Sequence, residues 1–64
     1  MTRLPAALLA ELVGRGWSIP RLAKEAGLSL SVVQNLCGGS RPRVDTLGRV
    51  LAALDLPWAW LDSI

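Results

Sequence analysis

Apolar residues return along this chain at spacings of three and four, in short runs divided by glycine, serine and proline. The first run, Leu8, Leu9, Leu12 and Val13, makes a stripe on one side of a helix. Thr2 or Leu4 precedes that helix, Pro5 sits in its first turn where a missing N–H costs nothing, and Gly14 and Gly16 are expected to end it. Ser18 is a good N-cap for a second helix, with Pro20 just inside it. There Ile19, Leu22, Ala23 and Ala26 fall on one side, and Arg21, Lys24 and Glu25 on the other, before Gly27 closes it. Ser29 is a second serine cap, two residues later. The third helix is expected over Leu30–Cys37, with Val33, Leu36 and Cys37 inward and Leu28 pointing inward from the turn.

Gly38 and Gly39 stop the third helix, and Ser40 to Arg43 form a loop in which Pro42 holds Arg41 extended. A fourth helix follows from about Val44 to Leu54, with Val44, Leu47, Val50, Leu51 and Leu54 as its stripe. Gly48 inside it costs about 1 kcal/mol against alanine, which a close backbone approach would explain. Leu56 and Pro57 open a last short helix carrying Trp58, Trp60 and Leu61, with Trp60 expected in the core.

Composition narrows the class. A chain of 64 residues is one small domain, residues 1–64, and buries only about 60% of its unfolded surface. Leu and Ala dominate a hydrophobic share of 52%, and Phe and Tyr are absent, so the fold class is all-α. The net charge of +2 does not by itself establish a nucleic-acid partner. The basic residues are nonetheless mostly arginine, whose planar fork matches two phosphate oxygens at once. The single Cys37 allows no internal disulfide and suits a reducing cytoplasm. Pro5, Glu11 and Gly14 interrupt the apolar start, so neither a signal peptide nor a membrane span is expected. With no His and one Cys, no zinc site is expected, nor any other metal or cofactor. The carboxylates Glu11, Glu25, Asp45, Asp55 and Asp62 are scattered, and no nucleophile, base and pocket can be assembled, so an enzyme is not expected.

Two short helices, each with a serine cap and joined by a tight glycine turn, describe a helix-turn-helix over residues of about 18–37. "WSIPRLAKEAGLSLSVVQNLCGG" followed by "RPRVDTLGRVLAALDLPWAWL" resembles the Cro/C1-type (XRE-like) helix-turn-helix regulators of phages and bacteria. The likeness runs from Leu8 to Leu61. It rests on Leu22, Ala23, Gly27, Leu28, Ser29, Val33 and Leu36, then on Gly39 and Pro42 in the loop. Leu47, Val50, Leu54, Leu56, Trp60 and Leu61 continue it toward the C-terminus. The resemblance implies a compact five-helix, lambda-repressor-like domain that binds double-stranded operator DNA, usually as a homodimer, and acts as a small transcriptional repressor.

By position, the resemblance puts base contact on Leu30, Ser31 and Asn35, with Gln34 beside them. Asn and Gln suit the adenine edge, a serine hydroxyl gives or accepts one bond, and a leucine can only meet an apolar feature such as the thymine methyl. Phosphate contact falls on Ser18, Ile19 and Arg21, and on Gly39, Ser40, Arg41 and Arg43, while Lys24, Arg3, Arg15 and Arg49 read as ordinary surface charge. Many relatives carry an arginine–glutamate pair at the positions of Leu12 and Cys37, where this chain is apolar. Such a replacement costs little, and it makes Cys37 a small core residue rather than a redox sensor. A reader of this size covers one half-site, so the dimer surface is expected from the domain itself, at Pro57 and Trp58. The implied setting is the nucleoid of a bacterial or phage-infected cell. A protein-interaction module on the same fold, an antitoxin or a partner-binding regulator, is the alternative, with the third helix or the Trp58 surface docking a protein.

Overall fold

The computed structural model describes residues 4–64, so Thr2 and Arg3 lie outside the described residues. Four α-helices follow one another: α1 (Leu4–Arg15), α2 (Ile19–Ala26), α3 (Leu30–Cys37) and α4 (Val44–Ala53). A 3-10 helix, Trp58–Ser63, comes last, and no strand occurs among the described residues.

The helix starts follow from the side chains expected there. Ser18 Oγ accepts from the Arg21 amide at 3.2 Å, and Ser29 Oγ from the Val32 amide at 3.3 Å. Each serine satisfies one of the amides that a helix start leaves without a partner. The start of α4 differs, because its N-cap is Arg43 and no side chain caps it.

All four α-helices end in one way. A residue with positive φ, respectively Gly16, Gly27, Gly39 and Asp55, turns the chain into the left-handed region. The next amide then reaches back five residues: Trp17 to Leu12 O, Leu28 to Ala23 O, Ser40 to Asn35 O and Leu56 to Leu51 O, each at 2.9 Å. A second bond runs from the left-handed residue itself to the carbonyl three before it, as from Gly27 to Lys24 O at 3.3 Å. This is the Schellman stop, usually completed by an apolar contact from the residue after the turn. Trp17, Leu28 and Leu56 supply that contact by packing on the core, whereas Ser40 is exposed.

The core is built from one face of each helix. Leu8, Leu12, Leu22, Ala23, Ala26, Val33, Leu36, Val50 and Leu54 form one buried cluster, and Leu51 is buried as well. α2 packs on both α3 and α4, and α3 also meets α1. Leu12 lies inside the cluster and Cys37 packs against it, so both positions are held by apolar contact. Burial pushes the Cys37 thiol above its ordinary value, which makes it a poor nucleophile.

Several expectations need correcting. Gly14 does not end α1, which runs on to Arg15 and stops at Gly16. Of the expected α1 stripe only Leu8 and Leu12 are buried, while Leu9 is 39% and Val13 79% exposed. With four short helices, one narrow row of α1 suffices to cover the core. Val44, the first residue of α4, is 76% exposed and not part of the buried stripe. Leu54 is buried but stands just after the end of α4. The close approach at Gly48 comes from a side chain rather than from backbone. A Cβ there would lie 3.3 Å from Cζ2 of the Trp58 indole. The last helix is 3-10, opened by Pro57 and held by the Trp60 amide bonding to Pro57 O at 3.0 Å. None of its residues is buried, and Trp60 is half-buried rather than part of the core.

Asp55 is the one non-glycine residue at a helix stop, at φ 55°, and its charge lies at the negative end of α4. Asp55→Gly is expected to raise stability by about 0.5–1 kcal/mol and Tm by about 4 °C, since it removes both the left-handed strain and the charge. Asp55→Asn should give only the electrostatic part. Thermal unfolding by circular dichroism checks both, and an unchanged or lower Tm for the glycine variant refutes this account of the stop.

Candidate nucleic-acid interface

α3 divides cleanly into two sides. Val33 and Leu36 are buried and Cys37 is half-buried, while Leu30, Ser31, Gln34 and Asn35 are exposed. Leu30 with Gln34, and Ser31 with Asn35, stand four residues apart, so the four side chains form two adjoining rows on the outer face. Leu30 is 43% exposed, a large apolar surface among neutral polar groups. Among the described residues, the hydroxyl of Ser31 and the amides of Gln34 and Asn35 make no hydrogen bond within the chain. These donors and acceptors are left over by the fold.

Beyond the end of α3 lies a cleft of 240 Å³ between α3, the loop and α4. Its polar lining is Asn35, Ser40, Arg41, Arg43 and Thr46, and its apolar lining Val32, Leu36 and Pro42. The fold thus brings Asn35 together with three of the residues assigned to phosphate. Neither Arg41 nor Arg43 has a carboxylate within salt-bridge distance among the described residues. The cleft also borders the uncapped start of α4, whose first amides have no side-chain partner. Free amides at a helix start and unpaired guanidinium groups both favour an anion. The amides of Gly39 and Ser40 are different, being taken up by Leu36 O at 3.2 Å and Asn35 O at 2.9 Å. The Ser40 hydroxyl is what this turn has left to offer.

The start of α2 forms a second region. Ser18 and Arg21 are exposed there, and Ile19 is half-buried against the core. An open depression of 440 Å³ on α2 is lined by Pro20, Arg21, Lys24 and Glu25. The Arg21 guanidinium carbon lies 4.7 Å from the centre of the Trp17 ring. Its Nε stands 3.9 Å from Glu25 Oε2. Trp17 and Glu25 are not among the residues that the sequence singles out. The four-residue step from Arg21 to Glu25 within α2 is a signal for Glu25, whereas Trp17 stands before the N-cap Ser18, outside the reach of that helical rule. Arg49, read as ordinary surface charge, places Nη1 3.5 Å from where a Cβ of Gly27 would stand, against the turn between α2 and α3. Arg15 pairs with Glu11 at 3.9 Å.

Pro57 is exposed and Trp58 is 52% exposed, with the indole laid on Gly48. No group of residues that could hold a metal ion occurs among those described, and no described helix is long and apolar enough to cross a membrane.

No curated protein and no solved structure matches the chain. The family model described as helix-turn-helix matches residues 8–61, a span that takes in all four α-helices from Leu8 onward. The chain belongs to the Cro/C1-type helix-turn-helix family, one of DNA-binding regulators and not of enzymes.

Proposed function

We propose that this chain is a sequence-specific regulator of repressor type, one domain over residues 1–64, with α3 lying in the major groove of an operator half-site. The observation that carries this reading is the outer face of α3. Its neutral hydrogen-bonding groups are unengaged and stand beside a cleft where Asn35 meets Arg41 and Arg43. Sequence is read through base edges, which present amide-sized donor and acceptor patterns and a thymine methyl, while phosphates need charge. Leu30, Ser31, Gln34 and Asn35 take the first task. Arg41, Arg43, Ser40 and the start of α4 take the second, joined by Ser18, Ile19 and Arg21 at the start of α2. Gly39 contributes by turning the chain, because its amide is already bonded.

The protein reads a two-fold operator as a homodimer. Pro57 and the half-exposed Trp58 form the contact, and the Gly48 seat fixes the indole in place. Aromatic residues are enriched in such contacts. Action on the nucleoid follows from this reading.

A protein-interaction module is the second reading, and the apolar surface favours it. Val13, Val44, Leu30 and Trp58 are large exposed hydrophobic residues, of a kind that protein partners cover when they form a patch.

Selection of bound duplexes from a random pool separates the two. A palindromic consensus with half-sites one helical turn apart is expected, and recovery of no consensus sinks the repressor reading. Arg41→Ala should weaken binding to all duplexes alike and lower the slope of log K against log salt by about 1. An unchanged slope removes Arg41 from the phosphate contacts. By sedimentation with and without operator DNA, Trp58→Ala should shift the protein toward monomer at concentrations where wild type is a dimer. Undiminished dimerisation discards the Trp58 contact.

A further inference from the structure

We infer that Trp17 is a positioning residue for DNA binding: its indole holds the Arg21 guanidinium ready for a phosphate at the start of α2. The inference rests on the proposed phosphate role of Arg21 and deepens it. It begins with an oddity of placement. Arg21 stands in the first turn of α2, where the helix dipole disfavours a cation. No carboxylate stands in that turn to offset it. The compensation comes from outside the turn, from the ring below and the Glu25 carboxylate one turn on.

Trp17 is suited to be a platform because it is itself fixed. Its amide bonds to Leu12 O at 2.9 Å in the stop of α1, and its side chain packs against the buried cluster. A guanidinium 4.7 Å from the ring centre is within cation–π range. The ring meets the guanidinium over its carbon, and the N–H donors around that carbon are left to other partners. Glu25 approaches at Nε, and 3.9 Å is too long for a hydrogen bond. The fork of the two Nη groups therefore remains open to a phosphate. An arginine held in this way loses less rotamer freedom on binding than one free in solvent. The open depression on α2 around Arg21 and Lys24 leaves room for the approaching strand.

The test is a double-mutant cycle on binding to the selected duplex, measured across a salt series. Arg21→Ala should lower the salt slope by about 1. Trp17→Leu keeps an apolar side chain against the core and should weaken binding about two- to fivefold, the size of the rotamer freedom that Arg21 would then lose on binding. Trp17→Phe keeps a ring and should recover most of that loss. In the Arg21→Ala background, Trp17→Leu should have no further effect on affinity. As a readout without DNA, the Arg21 δ-protons should show an upfield ring-current shift by NMR that vanishes in Trp17→Leu and persists in Trp17→Phe. If Trp17→Leu weakens binding equally with and without Arg21, or the ring-current shift is absent, the inference is overturned while the regulator reading stands. An Arg21→Ala protein with an unchanged salt slope overturns it in the same way. If the wild-type protein binds no duplex at all, both fall together.

Discussion

A left-handed residue after each α-helix is the constraint on which the rest of this structure depends. Helices of eight to twelve residues are marginal alone in water, so each must reach its neighbours at once. A stop that reverses the chain within two residues, while pairing two of the last carbonyls, makes that possible. Where the stop falls also decides which side chain comes next. Trp17, Leu28 and Leu56 are each placed on the core by the turn preceding them. The angle between α2 and α3, and with it the presentation of α3, rests on the turn at Gly27 and on the buried Ala23 and Ala26, whose small size lets helices lie close.

Only the stop of α3 ends in a polar, exposed residue, Ser40. The loop that follows is thus free of the apolar anchor that ties down the other three. It carries Arg41 and Arg43, and the cleft beside it opens toward the uncapped start of α4. Charge follows the same division. Arg15 and Arg21 lie near carboxylates on their own helices, whereas Arg41 and Arg43 have none within reach among the described residues. A net charge of +2 conceals this arrangement, since it sums paired and unpaired cations alike.

The sequence revealed most where a local rule decides the outcome. α2 and α3 are found within their expected bounds, because a serine cap and a glycine stop are both strong and both short-range. The rule failed where glycine was ambiguous: Gly14 and Gly16 look alike in a sequence, but only Gly16 takes a positive φ. The stop at Asp55 was invisible for the converse reason, since nothing marks an aspartate as left-handed. Leu9, Val13 and Val44 were misplaced because periodicity gives the apolar side of a helix and not how much of it the neighbours cover. The seat of Trp58 on Gly48 and the stack of Arg21 on Trp17 lie further out of reach. Each depends on how side chains lie in the finished fold rather than on a local signal.

The division of α3 into a buried and an unengaged side has a consequence for how such a chain can change. No bond within the protein among the described residues depends on the side chains of Ser31, Gln34 or Asn35. Exchanging one polar helix former for another at these places alters stability by no more than tenths of a kcal/mol. The lettering of the outer row is therefore uncoupled from the packing beneath it. On the proposed reading, a lineage carrying this fold can drift toward a different target without passing through an unfolded ancestor, because the residues proposed to recognise are almost disjoint from those that fold.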